Sequence, residues 1–297
     1  MSPFDDALRA WRPLPHRSSG ELTEARLESH WAVQLIDLVA KARVPEEDDW
    51  SHLAMTWLDP LEMLAGGFTR GGVRVAFRIR DLCLAVLDGD DRVEWSLCLD
   101  SKTLGEAQVW LQEVLAVEGE EVVSLGTLRE DLPEHPVASG EAFHLDERAQ
   151  LEELSRWYGN CARILQVVAN NTLGASPLRC WPHHFDLATS IALDPDGVDE
   201  ENTRSINVGL SPGDDSFDEP YLYVTPWPEP AHVESEPLAG NGHWHAEGFT
   251  AAVLPAHRLP DIDAVEAPDH RAQEQAEQVF AFLRSAVAAC RGLLGAL

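Results

Sequence analysis

Two short stretches carry the residue types from which metal and acid–base chemistry is built. They are Arg179-Cys180-Trp181-Pro182-His183-His184-Phe185-Asp186 and Gly242-His243-Trp244-His245-Ala246-Glu247-Gly248. Successive side chains of a β-strand point to opposite faces. A strand reading therefore puts His184 and Asp186 on one face of the first stretch, and His243, His245 and Glu247 on one face of the second. Residues two apart lie about 7 Å apart along a strand, so neighbouring strands would bring these groups towards a single point. Imidazole and carboxylate together suit a divalent Fe, Zn or Mn ion, and a set without thiolate favours a catalytic over a structural site. In this reading His184, Asp186, His243 and His245 are ligands, and Glu247 is a fifth ligand or the general base. His183 points away and supports the ligands from behind; a register slip of one residue exchanges it with His184.

Around these groups stand candidate substrate contacts. Arg179 is the nearest cation and can either clamp a substrate carboxylate through two hydrogen bonds or close a structural ion pair. Trp181, Tyr221, Tyr223, Trp227 and Trp244, with His183, are expected to wall a pocket for a small organic molecule. The plainer alternative for the aromatics is core packing. The run Ser211 to Asp215 reads as a turn, too acidic to cradle phosphate.

The elements that must position these residues follow from periodicity. Apolar residues at Leu27, Trp31, Leu35 and Leu38 predict a helix over 23–42, and Val73, Val75, Phe77 and Ile79 predict a strand covering a core on one side. Asp88-Gly89 predicts a hairpin turn before a strand carrying Val93, Trp95, Leu97 and Leu99, and Thr103 to Leu115 predicts a helix with Leu104, Ala107, Leu111 and Val114 inward. The strongest helical stripe runs from Leu151 to Val168, and a last helix carries Ala276 to Leu294. Between them, strands are expected over 181–191, 206–210, 221–223 and 243–254, with an acidic loop over 194–201 and a polar insertion over 228–240. Residues 1–22 read as irregular, with a Ser-Ser-Gly turn at 18–20. The result is an α+β fold: antiparallel sheets flanked by helices, in an N-terminal half over 1–125, a linker over 126–148 and a C-terminal half over 149–297 bearing the site. Each half reads helix, strands, helix, which suggests an internal duplication.

Composition narrows the function classes. A net charge of −29 repels nucleic-acid phosphates and anionic membranes, and no run approaches the roughly 20 apolar residues of a membrane span. The first residues lack a secretory pattern, so a cytoplasmic location is expected. Five cysteines without a Cys-x-x-Cys pair argue against a disulfide framework; Cys161 and Cys290 fall on apolar helical stripes and read as packed thiols. No Gly-x-Gly-x-x-Gly, Walker loop or Gly-x-Ser-x-Gly is present.

The runs RCWPHHFDLAT, SINVGLSPGD, PYLYVTPWPEP and GHWHAEGFTAAVL resemble a bacterial family described only as a domain of unknown function. The resemblance spans about residues 150–290 and, more weakly, 20–120, and implies no activity. Some members of that family have no histidine at the positions of His184, His243 and His245, so a metal site would belong to a histidine-bearing subgroup. Function is therefore expected from the residues themselves: a metalloprotein, an oxidoreductase or hydrolase acting on a small organic substrate. The alternative is a non-catalytic module that binds a small molecule or a partner.

Overall fold

The computed structural model describes residues 3–15, 20–119, 124–129, 131–194, 203–230, 232–233, 238–261 and 268–296. The expected acidic loop at 195–201, part of the polar insertion (231 and 234–237) and most of the Ser-Ser-Gly turn lie outside the described residues. Among the described residues, five helices and antiparallel sheets make the fold α+β. The chain divides into two compact units, neither of them a sequence half. One comprises Leu22–Ser155 with Arg179–Phe185; the other comprises Met1–Glu21, Arg156–Leu178 and Asp186–Leu297. Residues 126–148, expected as a linker, belong to the first of these, where Phe143 is wholly buried and exchanges backbone hydrogen bonds with Ser101 and Lys102.

In the Leu22–Ser155 unit, helix α2 (Thr23–Arg43) packs on a five-stranded meander. Its strands are β1 (Thr56–Leu58), β2 (Met63–Ala65), β3 (Arg74–Arg78), β4 (Cys83–Leu87) and β5 (Val93–Cys98), hydrogen-bonded in that order. Ala76 is buried together with Val75 and Phe77, so β3 is covered on both faces at its centre rather than on one. Strand β5 is found where expected. It is an edge of the sheet, with Val93 46% and Trp95 40% exposed. Helix α3 (Leu104–Val117) starts at a capping box in which Thr103 and Glu106 satisfy each other's backbone N–H groups.

In the other unit, α1 (Pro3–Arg9) is a short helix where an irregular segment was expected. Helix α4 (Arg148–Asn171) contributes its residues from Arg156 onward, and α5 (Pro268–Leu293) closes the chain. The sheet here runs β10 (His243–His245), β11 (Ala251–Pro255), β9 (Tyr221–Trp227), β8 (Ser205–Ser211), β7 (Asp186–Ala192). On β7 burial alternates strictly: Leu187, Thr189 and Ile191 are buried between half-buried neighbours. Buried Leu222, Val224, Val208 and Leu210 share the alternate positions of β9 and β8, two of the strands on which α5 packs. Gln275 of α5 ties the N-terminal segment down: its amide accepts from Trp11 Nε1 (3.3 Å) and Leu14 N (3.0 Å) and donates to Leu14 O (2.8 Å).

Candidate functional site

The stretch 181–191 is not one strand. A short strand β6 (Arg179–Trp181) ends at Pro182, and Pro182–Phe185 form a turn closed by Phe185 N–H donating to Trp181 O (2.7 Å). Phe185 sits at φ +55°, the left-handed region, so strand alternation cannot run through it. The inference that His184 and Asp186 share a strand face fails there. His184 is exposed and groups with the Leu22–Ser155 unit, whereas Asp186, His243, His245 and Glu247 group with the other. The second stretch is likewise interrupted. β10 stops at His245 and turns back into β11, pairing His243 with Val253 and His245 with Ala251. Glu247 lies exposed in that turn, outside both strands.

Within the sheet, register sets the distances. His243 pairs with Val253, Val253 with Tyr223, and Tyr223 with Gly209. His243 and Tyr223 therefore share a face but stand two strands apart, roughly 10 Å. Tyr223 Oη donates to Asp186 Oδ2 (2.5 Å), while His245 Nε2 meets the backbone oxygen of Glu247 (2.8 Å) and its ring packs between Phe217 (5.1 Å) and Phe249 (4.6 Å). His243 has its pKa lowered, first by burial and then by the charges of Arg258, His245 and His257. Among the described residues the only group of three or more His, Cys, Asp or Glu side chains with ligand atoms mutually within 4.8 Å is Glu24, Glu28 and His135, and none of the five predicted ligands belongs to it.

What the sheet does assemble is a pair of phenol–carboxylate contacts among aromatic rings. Asp214 Oδ1 accepts from the N–H groups of Ser216 (2.8 Å) and Phe217 (3.1 Å), and its Oδ2 accepts from Tyr221 Oη (2.5 Å). The Ser211-to-Asp215 turn is thus a fixed support for a carboxylate. Burial, then the bond to Asp214, raises the Tyr221 pKa, so that phenol stays protonated. Phe217 lies 4.7 Å from Tyr221, which lies 6.2 Å from Tyr223, and Tyr221, Ala251 and Val253 form a buried cluster under half-buried Phe217, Tyr223 and Phe249. A Cβ on Gly209 would stand 2.6 Å from the Tyr223 ring, so glycine is what lets that ring lie flat across β8. Of the other expected pocket residues, Trp227 is 50% exposed, and Trp244 occupies the strand position between the two histidines, on the opposite face.

In the Leu22–Ser155 unit the His183-His184 turn is held by helix α2. His30 Nε2 (3.0 Å) and Gln34 Nε2 (2.7 Å) both reach Pro182 O, and the His30 ring stacks on Phe185 at 5.5 Å. Burial drives the His30 pKa down to about 4, so the ring is neutral and donates. His183 packs edge-on to Trp181 at 5.9 Å, and burial lowers its pKa too, helped by His184 and Arg129. Arg179 takes the structural option, an ion pair with Asp49 at 3.1 Å. Asp49 is held down to about 2, by Ser51's hydrogen bonds first. Periodicity missed His30 and Gln34 because α2 is buried on every side from Glu28 to Ala40, polar residues included. The signal was there: between those residues the sequence places only two acids, Glu28 and Asp37, and no Lys or Arg.

No protein-family model, curated protein or solved structure compared with this chain matches it.

Proposed function

We propose that this protein binds a small organic cation on the Tyr221–Tyr223 face of its larger sheet and performs no chemistry on it. One observation carries the reading: two carboxylates, Asp186 and Asp214, fixed by tyrosine hydroxyls amid the half-buried rings of Phe217, Tyr223 and Phe249. Ring faces attract cations by roughly 0.5–2 kcal/mol each, and a chain of net charge −29 concentrates them. A catalytic metal on the predicted histidines has less support, because His243 stands two strands from Tyr223, whose hydroxyl bonds Asp186, and His245 is held by Glu247 O between the Phe217 and Phe249 rings.

The test is a titration of untagged protein with choline, followed by thermal shift and tyrosine–tryptophan fluorescence, with butyrate as an anion of similar size. Choline should bind with a dissociation constant below about 1 mM and butyrate should not. Asp186→Asn should weaken choline roughly tenfold, while Tyr223→Phe, which keeps the ring, should weaken it less. Preference for the anion, or choline binding indifferent to Asp186→Asn, overturns the reading.

A further inference from the structure

Among the described residues one convergent ligand group is found, in the Leu22–Ser155 unit, and nothing in the proposed function uses it. Glu24 and Glu28 are one turn apart on α2, and His135 reaches them from the residue that caps a short 3-10 turn, Pro136–Ser139. His135 Nε2 stands 3.1 Å from Glu24 Oε1, its side chain only 4% exposed. Ligand atoms on one tetrahedral first-row ion with bonds of about 2.1 Å are spaced by roughly 3.4 Å. The His135–Glu24 spacing therefore needs little adjustment, and Glu28 offers an oxygen within 4.8 Å of both.

Glu28 supplies the second, independent observation. It is 2% exposed; Oε1 accepts from His144 N–H (3.1 Å), while Oε2 is buried with no hydrogen-bond partner among the described residues. Its charged neighbours Glu24, Asp100 and Asp146 are acids that all oppose its ionisation. A buried carboxylate oxygen without a donor, next to a second carboxylate one helical turn away, is unfavourable unless a cation or a proton fills the gap. Both candidates for the gap are positively charged, and only a metal ion also uses the imidazole.

We propose that Glu24, Glu28 and His135 bind a divalent first-row metal ion, zinc more tightly than manganese and magnesium least. The ranking follows from the imidazole, which discriminates against magnesium, and from the usual order of affinities for mixed nitrogen and oxygen ligands. Binding asks one local change. His135 Nδ1 now accepts a 3.4 Å contact from Val137 N–H, which leaves the ring proton on Nε2; ligation through Nε2 moves that proton to Nδ1 and gives up the Val137 contact, so the ring binds as a neutral imidazole.

The experiment is calorimetric titration of chelator-stripped, untagged protein with zinc chloride at pH 7.5, repeated in two buffers of different ionisation enthalpy. A single zinc site per chain is expected, with protons released on binding. Glu28→Gln and His135→Ala should each weaken it at least tenfold, by analogy with the 10–100-fold losses seen even for residues that only support ligands. Exposed Glu24→Gln, which carries no risk to the fold, should also weaken it, and melting in chelator reports whether the buried variants fold. A His243→Ala, His245→Ala double variant should bind zinc as the parent does. Absence of zinc binding tighter than about 1 mM, or binding that survives Glu24→Gln and Glu28→Gln, overturns the assignment. Binding lost only in the double histidine variant would move the metal to the sheet and overturn it equally.

Discussion

Replacing Glu28 by glutamine should stabilise the folded chain at high pH and leave it nearly unchanged at low pH. The cause is desolvation of the buried carboxyl, reinforced by Glu24, Asp100 and Asp146 and opposed by the His144 N–H bond; together they raise its pKa from 4.5 to about 7. The folded state therefore holds a proton that the unfolded chain has already lost between those values. Stability falls as pH rises through this window; below about 4.5 both states are protonated and nothing is lost, and above about 7 the full penalty applies. At about 1.4 kcal/mol per pH unit the penalty reaches roughly 3 kcal/mol. Glutamine keeps the shape and does not titrate. Urea unfolding followed by tryptophan fluorescence, in chelator, from pH 5 to 8 gives the difference between variant and parent. A constant offset from the new amide is unimportant; the difference should grow by roughly 3 kcal/mol across the range. A difference that stays level within about 0.5 kcal/mol refutes the reasoning, since every other titrating group cancels in the subtraction.

Three further expectations rest on separate contacts. His30, with its pKa lowered from 6.5 to about 4 chiefly by burial, contributes stability that is complete above 6.5 and is lost as pH falls to about 4. His30→Gln, which can still donate to Pro182 O, should remove roughly 3 kcal/mol of that acid sensitivity, read from the same urea series. Gln275→Leu should cost about 2–4 kcal/mol in denaturant unfolding, because it strands the buried backbone N–H and C=O of Leu14 that the amide now satisfies. Among the thiols, exposed Cys98 should alkylate first in native protein and its cross-strand neighbour Cys83, whose pKa burial raises, more slowly. Buried Cys161 and Cys290, the latter pushed up to about 12, should stay unmodified until unfolding, as peptide mapping would report.

How far the sequence could be read depends on whether the signal was periodic. Helices α2 to α5 carry long apolar stripes, and all are found where expected; the α+β class follows from them and from the strict alternation of β7. The site was less legible for two physical reasons. Strand alternation holds only while φ stays extended, and Pro182 with left-handed Phe185 breaks it in the six residues on which the histidine–aspartate inference relied. In the second stretch, His243 and His245 do share a face, but the strand ends before Glu247, which lies in the turn. Convergence across distant segments leaves no periodic trace at all. Glu28 meets His135 more than a hundred residues on, and His30 meets Pro182 further still. Apolar periodicity also assigns polar residues to solvent, which fails on α2 because that helix has no solvent face between Glu28 and Ala40.

The two buried titratable groups on α2 have consequences together that neither has alone. Glu28 and His30 are two residues apart and so point to different sides of the helix; neither appears among the charges that shift the other. Their effects should then add. On acidification from pH 6.5 to 4.5 the carboxyl regains its proton and the fold gains roughly 2 kcal/mol, while the imidazole resists its proton and the fold loses a similar amount. In the parent these slopes offset one another, and the pair contributes a nearly level response over that window. Each single variant exposes the other slope. Glu28→Gln should lose stability on acidification, His30→Gln should gain it, and the double variant should return to level. A parent that is level because neither group titrates in this window would yield two level single variants. The four-way comparison therefore separates cancellation from absence, and with it whether the burial of a polar helix sets the pH response of this unit.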